Sequence, residues 1–263
     1  MPSIGVFDSG FGGLTVLREL LRVLPTADYL YFGDTAHLPY GAKSVRTVAK
    51  YASASAQFLE QQGAELLVIA CNTASALALD EICQSVSIPV IGVIEPGAQK
   101  AQEISKAKKV AVIATEATVG SHAYQKALER RGIEGIEKAC PLFVPLIEEG
   151  WVEHPVTEQV AHIYIDDIFK NGARGADVLV LACTHYPLIR PLLRRVAPSA
   201  VQIVDSAEST AAKVLECMDG STRLQGSGSL RCFTTDSVEK FRALGGPFLG
   251  RPIENIELID IEK

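Results

Sequence analysis

The chain has 263 residues, a formal net charge of −6 and a composition that is 48% hydrophobic and 21% charged. That length can bury the core of one large domain or two ordinary ones, and the apolar fraction excludes a disordered chain, a collagen-like fibre and a disulfide-dense miniprotein. The acidic balance, with no dense Lys/Arg block, argues against a nucleic-acid partner, and no apolar run reaches the roughly 18 residues of a membrane helix, so no membrane partner is expected.

Short apolar runs alternate with amphipathic stretches. A strand is predicted at 4–7, directly after a start that carries no charged, long-apolar or cleavage-site features of a leader, so a cytoplasmic location is expected. A helix follows at 14–24 and a strand at 27–32. Over 44–62, Val45, Val48, Ala49, Ala52, Ala56 and Leu59 fall on one helical face. The runs 66–70 and 90–94 are apolar throughout, with a helix between them at 74–84. The same rhythm resumes at 110–114, 178–182 and 201–204. Strands that are apolar on both faces suit a parallel sheet covered by helices on both sides, so the fold class is α/β with mostly parallel sheets. Arg190, Arg194 and Arg195 read as a solvated helix face. Residues 219–229 are rich in Gly and Ser and read as a connector, followed by a strand at 230–234, a helix at 236–244 and a strand at 256–260.

The rhythm repeats itself. The strand ending Ala70-Cys71-Asn72-Thr73 has a counterpart ending Ala182-Cys183-Thr184-His185, with the two cysteines 112 residues apart. The next strands end at Glu95 and Asp205, 110 residues apart, and the strands opening each half begin at Ile4 and Val110, 106 residues apart. Three nearly equal offsets imply two related α/β halves, each with a Cys at the carboxyl end of a strand. Ligands of parallel α/β sheets bind beyond those ends, so Cys71 and Cys183 are expected to flank one cleft.

Two facing thiols have a specific use. A thiolate takes a proton and a thiol gives one, so a pair on opposite sides of a stereocentre can invert it. Each Cys precedes a predicted helix, whose dipole favours the thiolate. Cys83, Cys140, Cys217 and Cys232 have no such partner and read as ordinary thiols of a reducing compartment.

Other motifs are weaker. Asp8-Ser9-Gly10-Phe11-Gly12-Gly13 is a Gly-rich turn after a strand, but Thr15 stands where the dinucleotide fingerprint needs its third Gly, and no Walker Lys follows. The turn could hold a carboxylate or simply permit close packing. Gly33-Asp34-Thr35 and Pro39-Tyr40-Gly41 form a polar loop. Glu148 and Glu149 read first as solvated charges. His185 could be the acid/base partner of Cys183. His37, His122, His154 and His162 lack ligand spacing, so no metal site is expected.

Taken together, these segments, with Pro145-Leu146-Ile147-Glu148 and Ala182-Cys183-Thr184-His185-Tyr186-Pro187, resemble the glutamate racemases of the aspartate/glutamate racemase family, in order and over nearly the whole chain. The resemblance implies two pseudo-symmetric domains with the site in the cleft between them. The second is inserted, giving 1–95 plus 208–263 and 96–207. It implies cofactor-independent conversion of L-glutamate to D-glutamate for peptidoglycan, in a homodimer. Cys71 and Cys183 are then the acid/base residues, Asp8 assists Cys71, and Glu148 (or its neighbour Glu149) and His185 assist Cys183. Ser9, Tyr40, Gly41, Asn72, Thr73 and Thr184, together with Asp8 and His185, hold the substrate. With a strand beginning at Ile4, the N-terminal extension that some members carry for activation by a cell-wall precursor is not expected.

No Schiff-base lysine or phosphate cup is evident, so charge developing at Cα must be met by preorganised donors such as those after each Cys. The alternatives are a racemase of a related amino acid such as aspartate, a one-thiol decarboxylase of similar scaffold, a two-domain binding protein and a dithiol switch. The retained pair of thiols argues against the decarboxylase, and a substrate between the sulfurs argues against the switch.

Overall fold

The structure is a computed structural model that describes residues 3–219 and 227–261. The first half runs β1 (Ser3–Asp8), α1 (Leu14–Val23), β2 (Asp28–Gly33), α2 (Val45–Gln61), β3 (Ala64–Ile69), α3 (Asn72–Leu77), α4 (Leu79–Ser85), β4 (Val90–Gly92) and α5 (Ile94–Ile104). The second runs β5 (Lys109–Ala114), α6 (Glu116–Ser121), α7 (Ala123–Glu129), β6 (Glu134–Ala139), α8 (Phe143–Glu148), α9 (Pro155–Asp167), β7 (Val178–Ala182), α10 (Arg190–Val196), β8 (Gln202–Asp205) and α11 (Ser206–Asp219). The chain ends with β9 (Leu230–Thr234), α12 (Val238–Leu249) and β10 (Ile256–Leu258).

All recorded strand pairs are parallel, in two sheets ordered β10-β9-β2-β1-β3-β4 and β6-β5-β7-β8. The four strands of the second sheet repeat the order β2-β1-β3-β4 of the first. Register repeats too: Ser3 pairs with Asp28 and Lys109 with Glu134, so β6 is the counterpart of β2 at the 106-residue offset of the opening strands. The last two strands extend only the first sheet, beside β2.

Burial explains the order. β1, β5 and β7 sit inside their sheets, and nearly every residue in them is buried, as strands covered on both faces require. β6 is an edge strand, only partly buried, and its Glu134-Gly135-Ile136-Glu137-Lys138 run carries no apolar pattern. One apolar cluster spans both halves, with Val6, Leu17 and Tyr31 from the first and Ile113, Phe143 and Leu181 from the second, while two smaller clusters fill the far faces of the two sheets.

Several predicted boundaries shift. Val45 is 50% exposed, because the helix starts there, capped by Ser44, and the buried face begins at Val48. The helix expected at 74–84 is two helices broken at Ala78. The strand expected at 90–94 stops at Gly92, and Ile94 and Glu95 open α5. The helix expected at 236–244 runs on to Leu249 and ends at Gly250 with φ +78°, a conformation suited to glycine. Of the connector expected at 219–229, residues 220–226 lie outside the described residues, and 227–229 have no regular structure.

Candidate active site

The carboxyl ends of both sheets open onto one cavity of about 320 Å³. Cys71 follows β3, Cys183 follows β7, Ser9 follows β1 and Thr115 follows β5, and all four line it. So do Tyr40, Gly41, Asn72, Thr73, Glu148, Thr184 and His185. Of the expected site residues, Asp8 alone does not line the cavity. It is fully buried behind it at the end of β1, with Oδ2 accepting from the Gly10 N–H at 2.9 Å and Oδ1 from the Thr184 hydroxyl at 3.5 Å. No Lys or Arg lines the cavity among the described residues; the lining group there able to carry positive charge is His185.

The Gly-rich turn brings the halves together. A Cβ on Gly12 would lie 2.2 Å from Thr184 Oγ1 and 2.5 Å from His185 Nδ1, and one on Gly13 would lie 2.4 Å from the Asp8 Cβ. Close packing is thus what these two glycines provide. The Thr15 hydroxyl donates to the Thr184 carbonyl at 2.9 Å, so the segment after Cys183 is held from the first half. The segment after Cys71 is held from the second. The Tyr124 hydroxyl donates to Asn72 Oδ1 at 2.8 Å, and the Asn72 amide donates to Ser206 Oγ at 3.5 Å. The hydroxyl of Thr73 meets those of Thr115 at 3.0 Å and Thr118 at 3.2 Å.

The two thiols sit in different surroundings. Cys71 is the N-cap of α3: its sulfur accepts from the Ala74 N–H at 3.4 Å and donates to Ser9 Oγ at 3.6 Å. Burial, seconded by the Asp8 carboxylate, pushes the Cys71 thiol up to about 12. The helix dipole was expected to favour a thiolate here; desolvation and a nearby carboxylate outweigh it. Cys183 is followed by a 3₁₀ turn (Tyr186–Ile189), not directly by an α-helix. Beside it, His185 Nε2 meets Glu148 Oε1 at 3.0 Å. Burial opposes the His185 cation, but the neighbouring Cys183 sulfur and the bonded Glu148 prevail and raise its pKa to about 10. Glu148 is therefore no solvated charge, and it, rather than Glu149, is the residue bonded to His185.

Four contributors escaped the sequence reading. Phe248 of α12 packs against the His185 ring, with centroids 5.0 Å apart at 78°. Tyr124 and Thr115 reach the site across the cleft. Asp34, at best part of a polar loop, is fully buried. It accepts from the Tyr40 hydroxyl at 2.6 Å and the Thr235 hydroxyl at 2.8 Å, and its Oδ1 lies 2.8 Å from His37 Nδ1. The C-terminal segment thus braces the loop that carries Tyr40 and Gly41. Burial and Asp34 raise the Tyr40 phenol, so it stays a neutral donor.

Residues 4–214 match the family model described as Asp/Glu/Hydantoin racemase. A glutamate racemase of Koribacter versatilis (strain Ellin345) is 57% identical over 99% of this chain and 98% of its own. The crystal structure of glutamate racemase from Francisella tularensis subsp. tularensis SCHU S4 in complex with D-glutamate superposes with a TM-score of 0.92 at 35% identity, covering 99% of this chain and 98% of that one. The aspartate racemase of Picrophilus torridus has a TM-score of 0.58 at 19% identity, covering 83% of this chain and 95% of that one. That is a likeness of fold alone and lends the aspartate alternative no weight.

Proposed function

This chain belongs to the Asp/Glu/Hydantoin racemase family of isomerases, and from that premise we propose that it interconverts L- and D-glutamate without a cofactor, with Cys71 and Cys183 as the two bases. The observation that carries the reading is the shared cavity: two thiols at matching strand ends of two related sheets line one space.

One sulfur, as thiolate, takes the Cα proton: the C–H bond breaks and an S–H bond forms. The other sulfur, as thiol, gives its proton to the opposite face of the carbanion. The enzyme is left with the proton exchanged between its sides and resets through solvent. Cys71 enters loaded, since its thiol holds its proton well past neutrality. On the other side the His185 cation, backed by Glu148, stands beside Cys183. In this direction the Cys183 sulfur takes the Cα proton and becomes a thiol, while His185 keeps its own proton. Asp8 assists Cys71 through its field. The negative charge that develops on the α-carboxylate is met by N–H and O–H donors of Asn72, Thr73 and Thr184, fixed in place before the reaction. Ser9, Tyr40 and Gly41 complete the grip on the substrate.

The reading extends to domains 1–95 plus 208–263 and 96–207, to a homodimer, and to a cytoplasmic supply of D-glutamate for peptidoglycan. Its test is incubation with each glutamate enantiomer in heavy water. Early product should carry deuterium at Cα while residual substrate keeps protium. Absence of enantiomer conversion with glutamate would overturn it.

A further inference from the structure

The side chain of Asn72 lies at the cavity, yet both ends of its amide are engaged elsewhere. Oδ1 accepts from the Tyr124 hydroxyl at 2.8 Å, and Nδ2 donates to Ser206 Oγ at 3.5 Å. Asn72 is 3% exposed, Tyr124 is fully buried, and Ser206 is 1% exposed, so water does not compete for these bonds. Tyr124 belongs to α7 and Ser206 opens α11, while Asn72 follows Cys71 in the first half. The Tyr124 hydroxyl reaches this point because α5 has a glycine beneath it: a Cβ on Gly97 would lie 3.2 Å from that oxygen. Burial raises the Tyr124 phenol, so it remains a donor at neutral pH.

We propose that Tyr124 is a positioning residue. It holds the Asn72 amide away from the substrate, so that Asn72 acts on glutamate through its main-chain N–H, and it fixes from the second half the segment that follows Cys71. This rests on the racemase reading above. With Oδ1 accepting and one of the two Nδ2 hydrogens donated, the amide is fixed in one orientation toward the second half, and leaving either of these ends unsatisfied is unfavourable enough to reorganise its surroundings. The tether therefore also links the placement of the Cys71 side to the packing of the opposite half.

The experiment is a double-mutant cycle on racemisation, with Tyr124→Phe, Asn72→Ala and the pair, read as kcat and KM for both enantiomers. Tyr124→Phe should lower kcat about 10-fold with KM changed less than about twofold, since only the fixing of groups used in the transition state is disturbed. Asn72→Ala should act in the same range, and the pair should be no worse than the worse single variant. Ser206→Ala, which removes the other tether, should give a smaller loss of the same kind and serves as the second arm if Tyr124→Phe does not fold. Additive losses, or Asn72→Ala raising KM far more than Tyr124→Phe, would show the Asn72 side chain binding substrate directly and overturn the proposal. Loss of thermal stability with kcat and KM intact would overturn it as well. A wild-type protein that does not racemise glutamate would instead sink the functional reading.

Discussion

The two halves share a strand order, a register and a Cys at the same strand end, yet they equip that Cys differently. Around Cys71 stand Ser9, a main-chain N–H and, buried behind the wall, the Asp8 carboxylate, with no ionisable partner bonded to the sulfur among the described residues. Around Cys183 stands an ionisable pair, His185 and Glu148, in contact with the cavity. Duplication supplied the symmetric scaffold, and the residues after each Cys broke the symmetry: Asn72-Thr73 against Thr184-His185. In the proposed two-base reaction the acid side starts loaded with a proton, and burial of Cys71 suits that role.

The largest effect should come from removing either thiol. Cys71→Ala and Cys183→Ala should each lower racemisation by about 10³-fold or more, the range of a lost general acid or base. Each should also retain Cα proton exchange with solvent for only one enantiomer, and a different one in each variant. Deuterium content and chirality measured together check this. Exchange of the same enantiomer in both variants would break the comparison between the sides.

Next in size is the pair beside Cys183. His185→Asn should reduce kcat about 100-fold and Glu148→Gln about 10-fold, as acid/base assistance is lost or mistuned. Glu148→Gln takes away an anion that helps hold the proton on His185. The alkaline limb of kcat/KM, set near pH 10 by that proton, should therefore move to lower pH in this variant. A limb that stays in place would assign it to another group.

Gly12→Ala tests whether the halves must approach this closely. Its Cβ would collide with Thr184 and His185, so overpacking of about 1–3 kcal/mol is expected in unfolding measurements, with a fall in kcat. Gly41→Ala, whose Cβ would lie 2.9 Å from the Thr115 Cβ, should do less.

These contacts mark where sequence reading stops. The cysteine strands were legible because they are apolar throughout and occur twice. β6 was not, because as an edge strand it tolerates Glu134, Glu137 and Lys138, and only its pairing with β5 identifies it. The break at Ala78 has no Gly or Pro to announce it. The site residues of the motifs could be named, but not how they are held. Tyr124 lies 52 residues from Asn72, and Thr235 lies 201 from Asp34, and no local pattern encodes either meeting. Only the resemblance pointed to Tyr40, Gly41 and Glu148, which spacing alone left as a polar loop and a solvated charge; all three line the cavity.

The smallest effect concerns Glu95 and Asp205, the carboxylates expected at matching strand ends; the register corrects that match, since Gly92 stands opposite Ile69 as Asp205 stands opposite Leu181, and Glu95 lies in α5. Glu95 is half exposed and bridges Arg130 and Arg131. Asp205 is 4% exposed, with Arg190 Nη1 only at 3.9 Å, and burial raises its carboxyl to about 6 despite the Ala207 N–H it accepts. Between its unfolded value of 3.8 and 6, the folded chain holds this proton more tightly than the unfolded one. Its contribution to stability is therefore full below pH 3.8 and declines as pH rises through 6. Asp205→Asn can keep the bond to Ala207 and has no charge to bury. Relative to wild type it should gain about 2 kcal/mol between pH 4 and pH 6.5 in denaturant unfolding. Glu95→Gln should show no such gain, since its charge stays in water beside two guanidinium groups. Equal pH dependence in the two variants would mean that burial does not distinguish these two carboxylates.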